Sequence, residues 1–329
     1  MSVDTSSDYP HGPGQTRAYP KPTAEGDVPF TIPSTGDKAQ THYWLWGDLS
    51  SSKIPLICLH GGPGVPHSYL NPISLLWEDH QIPVLIYDQV GCGESTHFKH
   101  KKFDDSFWTP QLFMQELDNL KKELGIKDFD LLGQSWGGML GAQYAITQPK
   151  GLRKLCVCDS PASMKDWVKV CDKLRAKLPK DVQEVLDRCE KEGKTDTEEY
   201  ESAVIVFYRR HLCRLPDFPP ELTRSFAYLA KDNTVYESMN GPSEFYVTGN
   251  LKTWDIKDDL KKITPTTVPG GMLVVNGYFD EAQDECVVPY FMQPTARVKW
   301  VRFALSAHMP QLDETEKFME TLGWFLLDE

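Results

Sequence analysis

Six short, mostly apolar runs punctuate the chain, and each stops at a polar or glycine-rich stretch. Ile54 to Leu59 ends at His60-Gly61-Gly62-Pro63-Gly64, Pro83 to Tyr87 at Asp88-Gln89-Val90-Gly91-Cys92-Gly93, and Phe129 to Leu132 at Gly133. Leu152 to Cys158 ends at Asp159-Ser160-Pro161, Met272 to Val275 at Asn276-Gly277, and Val298 to Phe303 near Ser306. Short runs without a regular polar alternation predict strands buried on both faces. Between them lie stretches of helical period. Thr109 to Leu124 places Leu112, Phe113, Leu117, Leu120 and Leu124 on one side and opens after Trp108-Thr109-Pro110, a helix-start signal. Gly137 to Thr147 and Leu312 to Leu327 read the same way. Upstream, Phe30 to Leu49 alternates polar and apolar residues around Ser34-Thr35-Gly36-Asp37, which predicts a hairpin. Buried strands alternating with helices predict an α/β architecture, a mostly parallel sheet flanked by helices on both faces.

One stretch departs from the alternation. Residues 163–263 carry helical patterns and almost no strand pattern, with a charged start at Lys165, Asp166, Lys169, Asp172 and Lys173. A helical insertion between two strands of one sheet reads as a cap over the carboxyl edge of the strands, where ligands bind. Residues 1–25 are rich in Pro, Gly, Ser and Thr and predict a flexible arm. The expected organisation is therefore an arm over 1–25, a core over 26–162 and 264–329, and a helical cap over 163–263.

Charge narrows the partners. The 329 residues include 35 basic and 47 acidic ones, for a net charge of −12. A nucleic-acid partner would require a basic face, so none is expected. The first twenty residues lack a basic segment followed by an apolar core, and no apolar run is long enough for a membrane span. A cytoplasmic location with no membrane partner is expected. The eight cysteines show no C-x-x-C spacing, so no metal site is expected and they read as reduced, buried thiols.

Gly133-Gln134-Ser135-Trp136-Gly137 fits G-x-S-x-G, directly after an apolar strand and before a helix. In that setting the serine stands at the tip of a sharp turn with its hydroxyl in the open. Ser135 is thus the expected nucleophile. The helix behind it supplies N–H groups and a partial positive charge for an oxyanion. His60-Gly61-Gly62-Pro63-Gly64 can bring backbone N–H groups close to a ligand. A phosphate loop would need G-K-[ST], which is absent. The expected oxyanion hole is Gly62 together with Trp136, with His60 bracing the loop.

In the serine hydrolases of the α/β-hydrolase fold the acid and then the histidine follow the nucleophile along the chain. Two histidines do so here. His211 lies in the cap, reading as a solvated or locally paired residue, whereas His308 follows the last strand and is the expected general base. Asp280 is the first carboxylate after Met272 to Val275 and the expected acid, with Asp284 the alternative in a loop that also holds Glu281 and Glu285. This chemistry needs no cofactor.

From about residue 26 onward the chain resembles the proline iminopeptidase family of serine peptidases. The resemblance rests on His60 to Gly64, Asp88 to Ser95, Gly133 to Gly138, Met239-Asn240-Gly241-Pro242-Ser243-Glu244-Phe245 and Gly277-Tyr278-Phe279-Asp280-Glu281. It implies release of an N-terminal residue, proline-like or otherwise apolar, from a peptide, amide or arylamide through an acyl-enzyme. It also implies that Glu244 and Glu281 hold the free amine of a small-molecule or short-peptide substrate. Val90 stands where many relatives carry Arg, and Ala307 where many carry Gly. Two other readings keep the scaffold: an esterase or tailoring hydrolase with the same triad, and a ligand-binding protein without turnover. The oligomeric state is left open.

Overall fold

The computed structural model describes residues 9–328. Eight strands form one sheet in the order β1-β2-β4-β3-β5-β6-β7-β8. β1 (Ala24–Thr31) and β2 (Lys38–Trp46) make the antiparallel hairpin about Ser34 to Asp37, and β2 pairs antiparallel with β4 (Val84–Tyr87). From β4 onward all neighbours are parallel: β3 (Leu56–Leu59), β5 (Phe129–Gln134), β6 (Leu152–Cys158), β7 (Met272–Gly277) and β8 (Val298–Phe303).

Every residue of β3, β4, β5 and β7 is buried. The cause is a layer of helices on each face, which leaves alternate residues of one strand in two different cores. Leu56 and Cys58 pack with α1 (Leu75–His80) and α11 (Thr315–Leu327), whereas Ile57 and Leu59 pack with α2 (Pro110–Glu123) and α3 (Trp136–Ile146). α2 starts where its sequence says it should: Thr109 Oγ1 accepts from the Leu112 N–H and Pro110 is the first helical residue.

Between β6 and β7 the chain runs through α4 (Met164–Arg175), α5 (Lys180–Glu192), α6 (Glu198–His211), α7 (Pro220–Lys231) and α8 (Thr234–Met239). α4 shows why: Met164, Trp167, Val170, Cys171 and Leu174 form one buried stripe at spacings of three and four. This insert is fixed to the sheet domain. The carbonyl of His211, at the end of α6, accepts from the N–H groups of both Glu281 and His308 at 3.2 Å. Ser225 on α7 donates to Pro66 O at 2.9 Å and accepts from Tyr69 N–H at 3.2 Å. After β7, α9 (Asp284–Met292) leads to β8, and a short α10 (Pro310–Asp313) precedes α11.

Two expectations require correction. Of the flexible arm expected over 1–25, residues 1–8 lie outside the described residues, and the following segment is bound. Gly14 N–H donates to Asp313 O, Pro20 O accepts from the Trp46 indole, and Arg17 bridges Asp79 (2.7 Å) and Glu316 (3.0 Å). β1 then begins at Ala24, before the expected boundary at 26. Pro and Gly prevent regular structure there, but not side-chain anchoring. The single helix expected from Leu312 is broken at Glu314, whose backbone leaves the helical region at φ −130°. Its carboxylate accepts from Leu305 N–H (2.9 Å) and Ser306 Oγ (2.7 Å), and Asp313 accepts from Ala307 N–H (2.8 Å). The break therefore serves to hold the loop that leads into His308.

A buried acid links stability to pH. Glu116 on α2 is fully enclosed, accepting from Thr41 Oγ1 (2.6 Å) and Val90 N–H (2.9 Å). Burial pushes its carboxyl up from 4.5 to about 8. An acid raised on folding stabilises fully below its unfolded value, and that stabilisation is lost as pH rises through the folded value. Glu116→Gln should therefore gain on wild type between pH 5 and pH 9 in denaturant midpoint. A midpoint difference that stays constant across that window would show that Glu116 does not titrate there.

Candidate active site

The turn from β5 into α3 sets Ser135 at φ 56°, ψ −124°, a strained backbone for a non-glycine residue. The turn closes only because its glycines lack side chains: a Cβ on Gly133 would lie 2.0 Å from Gly137 O, and one on Gly137 2.0 Å from Leu59 O. Ser135 is 8% exposed and opens into a cavity of about 450 Å³ between sheet and insert. Gly62, Glu244 and His308 line the same cavity, and Val204, Leu212, Phe226 and Leu229 provide apolar wall. A second hollow of about 10 Å³ adjoins Ser135, bounded by Trp136, Met139, Met164, Trp167 and Glu244.

His308 is buried in the loop after β8. Its Nδ1–H donates to Asp280 Oδ1 at 2.7 Å, and Asp280 Oδ1 also accepts from Ala282 N–H at 2.7 Å. The alternative acid points elsewhere: Asp284 is paired with Arg302 at 3.0 Å and with Asn276. Ser135 and His308 thus line one cavity, and Asp280 is hydrogen-bonded to His308. A hydroxyl, an imidazole and an orienting carboxylate so placed can make and break an acyl bond.

Gly62 adopts φ 107°, open to glycine, and a Cβ there would sit 2.6 Å from Val65 N. Among the described residues neither Gly62 N–H nor Trp136 N–H has an acceptor. His60 sits beneath the loop. Its Nε2 accepts from Gln89 N–H at 2.9 Å and its Nδ1 meets Gly61 O at 3.0 Å. Burial pushes His60 down to about 4, so it stays neutral. Gln89 donates back to His60 O and accepts from the Trp136 indole at 2.9 Å, which ties the two N–H-bearing segments together.

The two glutamates differ in setting. Glu244 faces the cavity and accepts from Tyr236 OH at 2.7 Å. Glu281 is completely buried, its Oε1 lies 3.7 Å from His308 Nε2, and neither oxygen has a hydrogen-bond partner among the described residues. Burial raises both carboxyls, and Glu281 is raised further by the charges of Glu244 and Asp280. Both acids are thus desolvated, and the charge of Glu244 acts on Glu281.

His211, expected to be solvated or locally paired, is half-buried and paired with a residue distant in the chain. Its Nδ1 donates to Phe279 O at 2.8 Å, and burial pushes it down to about 4. Sequence reasoning also missed Gln134. Its Oε1 accepts from Tyr69 OH (2.7 Å), which in turn accepts from Gly61 N–H (2.6 Å), and its Nε2 donates to His308 O (2.8 Å). The variable position of G-x-S-x-G thereby connects the glycine loop to the histidine loop, and only its direct contact with Ser135 in the chain could have hinted at this.

The model of the α/β hydrolase fold family matches residues 54–315. Over 280 residues the chain is 36% identical to a proline iminopeptidase of Heyndrickxia coagulans, covering 85% of this chain and 92% of that one. Among solved structures, VinJ is 44% identical with a TM-score of 0.87, covering 93% of this chain and 98% of its own. A proline iminopeptidase of Mycobacterium smegmatis is 39% identical with a TM-score of 0.81, covering 92% and 97%.

Proposed function

Since this chain belongs to the α/β-hydrolase family, and within it to the proline iminopeptidases, and is a hydrolase, we propose that it releases the N-terminal amino acid of a small amide or peptide through an acyl-enzyme on Ser135. Ser135 Oγ attacks the scissile carbonyl as its proton passes to His308 Nε2. Gly62 and Trp136 N–H groups stabilise the oxyanion. The imidazolium, steadied by Asp280, returns the proton to the leaving amine. Water repeats the sequence on the ester and frees the amino acid.

The observation that carries the reading is the Glu281 carboxyl, buried and unpartnered 3.7 Å from His308 Nε2, with Glu244 close enough to raise it. In the free enzyme a proton relieves this crowding. A substrate ammonium does so better, and it places the adjacent carbonyl against Ser135.

Glu244→Gln tests this. A charge-assisted hydrogen bond is worth roughly 1.5 to 3 kcal/mol, so kcat/KM on free-amine arylamides should fall about ten- to a hundredfold. Turnover of a small neutral ester, which never uses the carboxylate, should hold. If the ratio of the two activities stays at its wild-type value, Glu244 is only part of the cavity wall and the esterase reading gains.

A further inference from the structure

The end of β6 carries a carboxyl that the proposed mechanism leaves unused. Asp159 is fully buried at φ 53°, and its N–H donates to Val275 O at 2.8 Å. That bond sets its side chain against the loop after β7, where the Asp159 and Asp280 carboxyls come within hydrogen-bonding reach of each other. Among the described residues, Asp159 Oδ1, Asp159 Oδ2 and Asp280 Oδ2 are nevertheless all buried without a hydrogen-bond partner. Two carboxylates present only acceptors, and like charges in a dry site repel. A single proton removes both problems.

The surroundings decide which acid carries it. Asp280 Oδ1 accepts from Ala282 N–H and from His308 Nδ1–H, both of which favour the ionised form. Asp159 has no comparable support. Burial raises it well above the ordinary carboxyl range, the Asp280 and Asp313 charges raise it further, and the Gly277 N–H opposes this only weakly. Asp313, itself raised to about 6, is engaged by Ala307 N–H and Arg214 N–H.

We propose that Asp159 is a positioning residue, a neutral acid whose O–H donates to Asp280 Oδ2 and so turns Asp280 Oδ1 onto His308 Nδ1. The inference rests on the roles given above to Asp280 and His308. It makes the orienting carboxylate three-coordinate, with the third bond supplied from a neighbouring strand rather than from its own loop. Asp159 tolerates its left-handed backbone as Asn would.

Two variants separate the possibilities on an aminoacyl arylamide. Asp159→Asn keeps a donor for Asp280 Oδ2, and kcat should remain within about threefold of wild type, with the acidic limb of kcat/KM in its original place. Asp159→Ala leaves that oxygen bare. Its kcat should fall about tenfold or more at nearly unchanged KM, the size expected for one lost hydrogen bond to a charge. The limb should move to higher pH, because a more basic carboxylate holds the imidazolium harder. A limb moved to lower pH in Asp159→Asn would mean that wild-type Asp159 is ionised, and the proposal fails. Matching kcat and pH profiles for the two variants would also overturn it. Should Asp159→Ala not fold, the infrared difference between wild type and Asp159→Asn at neutral pH decides. Loss of one protonated-carboxyl band supports the proposal, and identical spectra in that region refute it. Ser135→Ala is the control: if it keeps activity the triad itself is wrong, whereas an inactive Ser135→Ala with a failed Asp159 test removes this inference alone.

Discussion

Ser135→Ala is expected to lower kcat by several orders of magnitude and to leave the melting temperature nearly unchanged. The two halves of that statement have different causes. The hydroxyl makes no hydrogen bond to the fold among the described residues, and the glycines around the turn, not the serine, permit its tight path. Alanine takes the same backbone with no new atom. Chemically, the change removes the atom that forms the acyl bond. What remains is the oxyanion site and substrate binding, which in serine hydrolases still give about a thousandfold over water against losses near a millionfold. The measurement is single-turnover product release by purified variant, with labelling by a serine-directed phosphonate as the companion. Retention of about a tenth of wild-type kcat would eliminate the acyl-enzyme route.

His308→Ala should come close to the same loss, and its comparison with His211→Ala is the sharper experiment. His308 is buried and His211 half-buried, both follow Ser135 in the chain, and they are joined, since His211 O accepts from His308 N–H at 3.2 Å. Their rings differ in use. His308 presents Nδ1 to Asp280, and its Nε2 lies 3.7 Å from Glu281 Oε1. His211 spends Nδ1 on Phe279 O and, held at about 4, stays neutral across the working range. His211→Ala frees one carbonyl in the acid loop and should cost about tenfold or less. It should keep the acidic limb of the rate profile, which His308→Ala abolishes. Equal losses from the two substitutions would sink the assignment of the base.

The sheet was legible because its strands are buried twice over. Ile54 to Leu59 or Met272 to Val275 need no periodicity to be recognised, only an abrupt polar stop. The nucleophile turn was legible because sterics there allow so few residue types. What escaped reading are features in which a residue serves a distant part of the chain. Gln134 links two loops, and its neighbours in sequence say nothing of Tyr69 or His308. Glu314 looks like one more position in an amphipathic helix, but its carboxylate is bound in the preceding loop at Leu305 and Ser306, so the helix breaks. The segment around Arg17 has the composition of a loose tail because extended chain bound by side contacts shows no pattern. Asp159 reads as the polar stop of a strand, and only the β6–β7 pairing puts it beside another acid.

The double hydrogen bond at His211 O has a consequence for how such an enzyme could diversify. The helical insert stands on the sheet domain with one foot at the very residues that carry the acid and base loops. Its far end, the mostly exposed 193–197 turn between α5 and α6, carries none of them. Insertions, deletions and sequence drift should therefore accumulate at that far end and reshape the cavity wall at Thr195, Val204 and Ile205 without cost to the chemistry. Change near the foot would be purged, because a shift there displaces Glu281 and His308 together. Substrate range can then evolve as an almost independent trait, on a lineage whose bond-breaking machinery stays fixed.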